Sequence, residues 1–178
     1  GNCVTSAITN GDTFNYSIEL LEAKFPVHVN QYALNIPGGV GPGRYRGGYG
    51  SIREYEILAD GTVLSASYGR SIEKPWSREG GGKGSCNYFE LHLGNDERRA
   101  ARAPTTIMQR GDIIRMVTGG GGGYGDPLQR PAEDVLAEVR AEYISAEVAR
   151  QDYGVVIAAD GFSIDADSTS KLRSGAAA

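Results

Sequence analysis

A chain of 178 residues with a formal net charge of −4 and a pI near 5.2 is long enough for one domain with a buried core, or one domain with an appendage. The acidic balance argues against a nucleic-acid footprint, and no 18-residue apolar run exists to span a membrane. Composition departs from the ordinary in glycine: 26 residues without a G-X-Y period, which points to many turns and close backbone contacts rather than collagen.

No charged and then apolar leader opens the chain, so secretion is not signalled, and a cytoplasmic protein with free thiols is expected. The first residue is not Met and the chain opens in mid-element, as in a fragment or a processed subunit. Cys3 and Cys86, with His28 and His92, are the residues for a Cys2His2 metal set. Their spacing lacks the close ligand pairs of structural zinc sites, so no metal is expected on them.

The first 17 residues are polar, with turn chemistry at Asn10-Gly11-Asp12-Thr13. Ser17 is placed to cap a short helix, Ile18 to Ala23, which Phe25-Pro26 stops. Val27 to Leu34 reads as a strand, with Val27, Val29, Gln31 and Ala33 on one face. A glycine- and proline-rich loop leads to Arg44-Tyr45-Arg46-Gly47-Gly48-Tyr49-Gly50, which interleaves cations with aromatic rings. Such a pattern could stack on bases or bind anions; on an acidic chain, guanidinium–aromatic packing and ion pairs at a tight corner is the stronger reading.

Ser51 to Leu58 and Thr62 to Tyr68 flank Ala59-Asp60-Gly61, which predicts a β-hairpin burying Ile52, Tyr55, Ile57, Val63 and Leu64. Ser71 to Gly84 is a loop holding Trp76, either an interface anchor or, by slight preference, a lid on the chain's own core. Asn87 to Leu93 alternates as a strand, Gly94-Asn95-Asp96 turns it, and Glu97 to Ala103 reads as charged and solvated. Thr105 to Met108 and Asp112 to Thr118 are strands bracketing a turn at Arg110-Gly111-Asp112.

The glycine run Gly119 to Gly123, followed by Tyr124-Gly125-Asp126-Pro127, stands between a strand and a helix. That position invites a phosphate-loop reading, but no Lys follows the glycines and Asp126 would repel a phosphate. The stretch is better read as a tight crossing where backbone packs on backbone.

Beyond it the period becomes helical. Val135, Leu136, Val139 and Tyr143 share a face of a helix over Ala132 to Ala141. Ser145 caps a second helix through Asp152, Tyr153 to Ile157 reads as a short closing strand, and the tail holds a helical turn near Leu172. The fold class expected is α+β: a sandwich or barrel-like domain of short, mostly antiparallel strands over 1–128, then a helical C-terminal appendage over 129–178. Neither H-E-x-x-H nor G-x-S-x-G is present, and no Cys/His pair has catalytic spacing, so no catalytic residue is expected here.

Several ordered motifs resemble one family. Phe25-Pro26-Val27-His28-Val29 followed by Gly43-Arg44-Tyr45-Arg46-Gly47-Gly48-Tyr49-Gly50 is similar to its Y/F-P-hydrophobic strand and G-x-R-x-R-G-G-x-G. Gly119 to Pro127 resembles its G-G-G-G-aromatic-G-D-P, and Ile144-Ser145 through Tyr153-Gly154-Val155-Val156 its I-S-x-x-x-A-x-x-x-Y-G-V-V. Ile164-Asp165 and Thr169 to Arg173 fit its last helix. By this pattern the chain resembles the carboxy-terminal part of hydantoinase B/oxoprolinase subunits.

The resemblance implies a subunit or fragment of an ATP-dependent cyclic-amide hydrolase of hydantoinase, oxoprolinase or lactamase type. An A-type partner subunit would bind ATP and Mg and phosphorylate the substrate, in a hetero-oligomer that includes the remainder of the B-type subunit. Related assemblies carboxylate ketones such as acetone or acetophenone, and a non-catalytic binding module of such a complex is the other alternative. The family's His/Asp metal-binding motifs belong to an amino-terminal portion that this sequence does not contain, so a divalent metal is expected there and no cofactor on this chain. Arg44, Arg46, Trp76, Tyr124 and Asp126 are the substrate or interface candidates; the four that match family motifs, all but Trp76, are assigned to architecture before chemistry.

Overall fold

A computed structural model describes residues 16–175. The turn expected at Asn10 to Thr13 and the thiol of Cys3 lie outside the described residues. Contacts divide the chain into two compact units that interleave along it. One holds the described residues through Asn35, with Tyr49–Lys74 and Cys86–Gly119; the other holds Ile36–Gly48, Pro75–Ser85 and the described residues from Gly120 onward. The expected boundary after residue 128 cuts the chain differently, because it follows sequence order while the contacts gather three distant loops.

The first unit carries all the strands of the described residues: β1 (Val27–Leu34), β2 (Ser51–Ile57), β3 (Thr62–Ser67), β4 (Tyr88–Leu93), β5 (Asp96–Ala100), β6 (Arg102–Met108) and β7 (Ile113–Val117). They form an antiparallel five-stranded sheet in the order β1-β2-β7-β4-β5 and an antiparallel ribbon of β3 with β6. The class is α+β as expected, with two sheets and no closed barrel among the described residues. Before β1, helix α1 (Ile18–Lys24) starts where Ser17 Oγ accepts from Leu20 N at 3.3 Å. In β1 a register shift between Val29 and Gln31 breaks the expected alternation.

The predicted hairpin is corrected. β2 is an inner strand with β1 on one side and β7 on the other, so neither edge is free for β3. The Asp60-Gly61 turn does form, with Gly61 at φ 76°, but it is a corner where the chain leaves one sheet for the other. The Arg110-Gly111 turn is a second corner beside it. Asp60 Oδ1 accepts from Arg110 N at 2.8 Å, and Gly111 N donates to Ile57 O at 2.8 Å. Two bent strands, β2–β3 and β6–β7, thus pair along their lengths and turn together.

Buried Asp112 braces this corner, accepting from Gly94 N at 2.9 Å and Gln109 N at 2.8 Å. Val63, expected inside, faces out on the ribbon opposite exposed Ile107. The core is Ile57, Phe89, Leu91, Ala103, Met108 and Ile114, with Tyr68 stacked on Phe89 at 4.3 Å between ring centroids. On the other face of the large sheet, Glu54, Arg115, Glu90 and Arg99 fall in one cross-strand row of alternating charge. Its last member lies on β5, a charged edge strand where the sequence predicted only a solvated segment. Edge position explains the composition, since charge there discourages pairing with another chain.

The second unit holds the other helices: α2 (Ala132–Arg140), α3 (Ala146–Tyr153) and α4 (Ala166–Gly175). Ser145 caps α3 by accepting from Val148 N at 3.1 Å, and Gly154 ends it at φ 62°. Val135, Ala149, Tyr153 and Val155 form their core. The predicted closing strand is not one: Tyr153 ends α3, and the segment after it makes a single bridge, Ile157 to Ile164. The helical turn expected near Leu172 is instead the ten-residue α4. Its first turn is stabilised by Asp165, which accepts from Ser168 N at 3.0 Å, and Arg173 ties it down by donating to Tyr153 O at 3.1 Å and Arg130 O at 2.8 Å.

Candidate functional site

Every candidate residue lies in the second unit, where Ile36–Gly48, Pro75–Ser85 and the strip from Gly120 to Gly125 run against one another. Five of the strip's six N–H groups are spent on protein acceptors. Gly120 N donates to Ser85 Oγ, Gly121 N to Gly48 O, Gly123 N to Gly82 O, Tyr124 N to Tyr45 O and Gly125 N to Arg78 O, all between 2.8 and 3.0 Å. A phosphate cradle needs such donors free, so the structure supports the packing reading of this run. The approach leaves no room for side chains: a Cβ on Gly122 would sit 2.0 Å from Trp76 O, and one on Gly123 2.0 Å from Pro42 O.

This backbone packing places Tyr124 in the middle of three segments. It bridges to Tyr45 on one side and to Arg78 on the other. The rings of Tyr45 and Tyr124 lie 6.3 Å apart, the Arg44 guanidinium sits 5.7 Å from the Tyr45 ring, and that of Arg78 5.6 Å from the Trp76 ring. Tyr45, Trp76 and Tyr124 are 62%, 63% and 52% exposed. Trp76 is therefore no lid on a core; its ring stands out in solvent beside a cation. Aromatic rings and guanidiniums presented together on a fixed backbone can bind a flat or carboxylate-bearing partner.

The other candidates point inward. Arg46, with 5% of its side chain exposed, donates through Nε to Glu138 Oε1 at 2.6 Å and through Nη1 to Gly47 O at 2.9 Å. Arg130 Nη2 reaches the same Glu138 oxygen at 2.9 Å, which makes a buried Arg–Glu–Arg triad. Tyr143 flanks Arg46 at 5.9 Å and Tyr153 flanks Arg130 at 5.7 Å. Asp126 caps the 3-10 turn Pro127–Gln129, accepting from Leu128 N at 2.9 Å. Arg44, Trp76 and Tyr124 are thus brought together, while Arg46 and Asp126 serve local architecture.

Arg78, Glu138 and Arg130 were not singled out by sequence. Arg78 follows Trp76 by two residues in an extended segment, which is the one local cue; the Glu138 pairing spans 92 positions to Arg46 and has none. Elsewhere, Glu22 pairs His28 at 2.9 Å and Glu97 pairs His92 at 3.1 Å, while Cys86 Sγ lies 3.4 Å from Ile72 O. Among the described residues no three His, Cys, Asp or Glu side chains gather as a metal site would require. No helix among them is long and apolar enough to cross a membrane.

The family model of hydantoinase B/oxoprolinase matches residues 2–127, well over half of the chain. The chain belongs to the hydantoinase B/oxoprolinase family. It is 36% identical over 91% of its length to the B-type subunit of a putative D-/L-hydantoinase from Pseudomonas sp. (strain NS671), of which it covers 27%. Among solved structures, the ATP-dependent caprolactamase of Pseudomonas jessenii is similar with a TM-score of 0.72 and 30% identity, over 89% of this chain and 28% of that one. Acetone carboxylase in a nucleotide-free structure has a TM-score of 0.83 over 99% of this chain and 28% of that one, at 22% identity, which speaks to fold alone. The chain thus spans little more than a quarter of the length of each of these three relatives.

Proposed function

We propose that the chain is part of the B-type subunit of an ATP-dependent cyclic-amide hydrolase. An A-type partner binds ATP with Mg and phosphorylates the substrate, and this part of the B-type subunit helps to wall the chamber in which the activated amide opens. The observation that carries the reading is family membership combined with 30% identity to an ATP-dependent caprolactamase over most of the chain. The roles found for the candidate residues agree with it. A glycine crossing, a buried ion triad and a cap build a wall, and an exposed aromatic platform suits contact with other chains. The divalent metal of the family reading is assigned to the amino-terminal portion of the B-type subunit.

Ketone carboxylation is the second reading, since the motifs that mark the family are shared by subunits of ATP-dependent ketone carboxylases. Native mass spectrometry of the undenatured assembly, followed by ATP turnover with lactams, hydantoins and ketones, separates the readings. Association with an ATP-binding chain and lactam- or hydantoin-dependent ATP consumption is expected. ATP consumption that needs a ketone and bicarbonate would move the assignment to carboxylation. A chain that runs alone and folded near 18.9 kDa would remove both in favour of a free-standing binding module.

A further inference from the structure

The platform of Tyr45, Trp76 and Tyr124 has the makings of an interface centre. Its three rings come from segments far apart in sequence and are held by backbone bonds: Tyr45 N to Tyr124 O at 3.0 Å, Tyr124 N to Tyr45 O at 2.9 Å, Arg78 N to Gly123 O at 3.2 Å and Gly125 N to Arg78 O at 3.0 Å. On one side of Tyr124, Gly123 is packed to backbone contact with Pro42, and on the other a Cβ on Gly125 would meet Arg44 Cβ at 3.2 Å, so the backbone that carries the platform is fixed before anything binds. Preordered Tyr, Trp and Arg side chains are the residue types that dominate binding energy, because little conformational entropy remains to be lost.

The charge is local and opposite to that of the chain. On a protein of net charge −4, Arg44 and Arg78 both stand exposed here, over the Tyr45 and Trp76 rings, and the acid next to them in sequence is a single one, exposed Glu79. Asp126, two residues from Tyr124, is occupied as a cap. A surface of three rings between two guanidiniums is complementary to carboxylates carried on an apolar or aromatic backbone segment. The chain covers 27% and 28% of two of its relatives, so most of a relative's length lies outside the part matched here and is available to supply such a segment.

We infer that the Tyr45–Trp76–Tyr124 face, with Arg44 and Arg78, docks an acidic segment of a partner polypeptide in the assembled enzyme. The identity of that partner as a larger chain of the hydantoinase type rests on the function proposed above. The test uses the assembly, isolated or reconstituted from co-expressed chains. Arg44→Glu combined with Arg78→Glu should weaken partner binding by at least about 30-fold, and Trp76→Ala by about the same. Arg44→Lys with Arg78→Lys should retain most of the affinity, since charge is kept. A benzoylphenylalanine placed at position 124 should crosslink, in the intact complex, to a partner peptide bearing Asp or Glu.

An assembly that forms with unchanged affinity in the charge-reversed variant overturns the docking face and leaves the functional reading standing. So does a crosslink that falls only within this chain or on a peptide without acids. Binding of a single-stranded oligonucleotide that Trp76→Ala abolishes would assign the platform to nucleic acid instead. If the unaltered chain joins no larger chain at all, the functional reading fails and the docking face with it. The crosslink is read in the otherwise native protein, so it decides the matter even where a substitution disturbs folding.

Discussion

The two units of this chain solve the same problem by opposite means. In the strand unit, side chains fill the space between a five-stranded sheet and a ribbon, with Phe89, Leu91 and Met108 almost wholly buried. In the other unit, the loops around Tyr124 pack by omitting side chains, so that carbonyls of Pro42, Gly82 and Trp76 occupy places where a Cβ would stand. Burial stabilises the first by area removed from water. The second gains hydrogen bonds and dispersion at contact distance, and it loses the entropy that glycine surrenders on ordering. A packed side chain can be trimmed and leaves a cavity; a packed glycine can only be enlarged.

That contrast can be broken first at Phe89 and Gly122. Phe89→Ala removes a buried ring stacked on Tyr68 and should cost about 4 kcal/mol in urea unfolding. Gly122→Ala adds one methyl and should still cost about 3 kcal/mol, since its Cβ would meet the Trp76 carbonyl at 2.0 Å and backbone must part. Peptide-resolved hydrogen exchange should place the first loss of protection in β3, β4 and β6, and the second in segments 36–48 and 75–85. Gly61→Ala is the control: its φ is 76° but the space around it is open, so only the left-handed backbone cost of about 1 kcal/mol is expected. If Gly122→Ala proves as mild as Gly61→Ala, close approach is not what holds the strip.

Much of this was legible in the chain and some was not, for physical reasons. Strand periods and helix caps are local, so β1, β4, α2 and the Ser17 and Ser145 caps could be read directly. The motifs around Arg44 and the glycine run also marked the family. The Asp60-Gly61 turn was read correctly as a turn and incorrectly as a hairpin. Turn chemistry reports a reversal, and only the competition of β1 and β7 for β2 decides which strands pair. β5 escaped because an edge strand of Asp, Glu and Arg lacks the apolar alternation that marks a half-buried one. At the candidate site, the sequence offered Arg44, Trp76 and Tyr124 one by one. Their convergence depends on Tyr124 bridging two segments, which no spacing encodes.

A smaller effect sharpens the comparison inside the second unit, where charge rather than glycine sits beside the helical core. Glu138 holds two guanidiniums through one oxygen, and its Oε2, like Arg130 Nε, is buried with no hydrogen-bond partner among the described residues. Glu138→Gln should destabilise by about 3 kcal/mol, because it leaves Arg46 and Arg130 buried without a counter-charge. Replacing Arg46, Arg130 and Glu138 together by apolar residues of similar volume should recover much of that loss, as buried ion groups often stabilise less than apolar packing. Thermal unfolding of the single and triple variants tests the pair of outcomes. A triple variant no more stable than Glu138→Gln would mean that the triad fixes the geometry of the loop carrying Tyr45.

The smallest expected effect is a gain, on α3. Burial raises the Asp152 carboxyl above its ordinary value, so the folded state holds that proton more tightly than the unfolded state. Stability from this group is therefore present at low pH. It is lost as pH rises through the ordinary carboxylate value and on through the raised folded one, leaving a net penalty at neutrality. The acid also stands in the last turn of α3, where the helix dipole disfavours negative charge. Asp152→Asn should raise stability at pH 7 by about 0.5 kcal/mol, with a gain of roughly 1–2 °C in Tm. The gain should shrink as pH falls, since the native carboxyl takes up its proton before the unfolded one does. Asp160 and Asp165 set the opposite trend. Hydrogen bonds from Phe162 N and Ser168 N, respectively, are foremost in holding them below their ordinary values, so what they contribute is lost only as pH falls through those depressed values. Comparing Asp152→Asn with the unaltered protein at each pH cancels that common loss, and a difference that does not narrow on acidification would exclude burial of the charge as its cause.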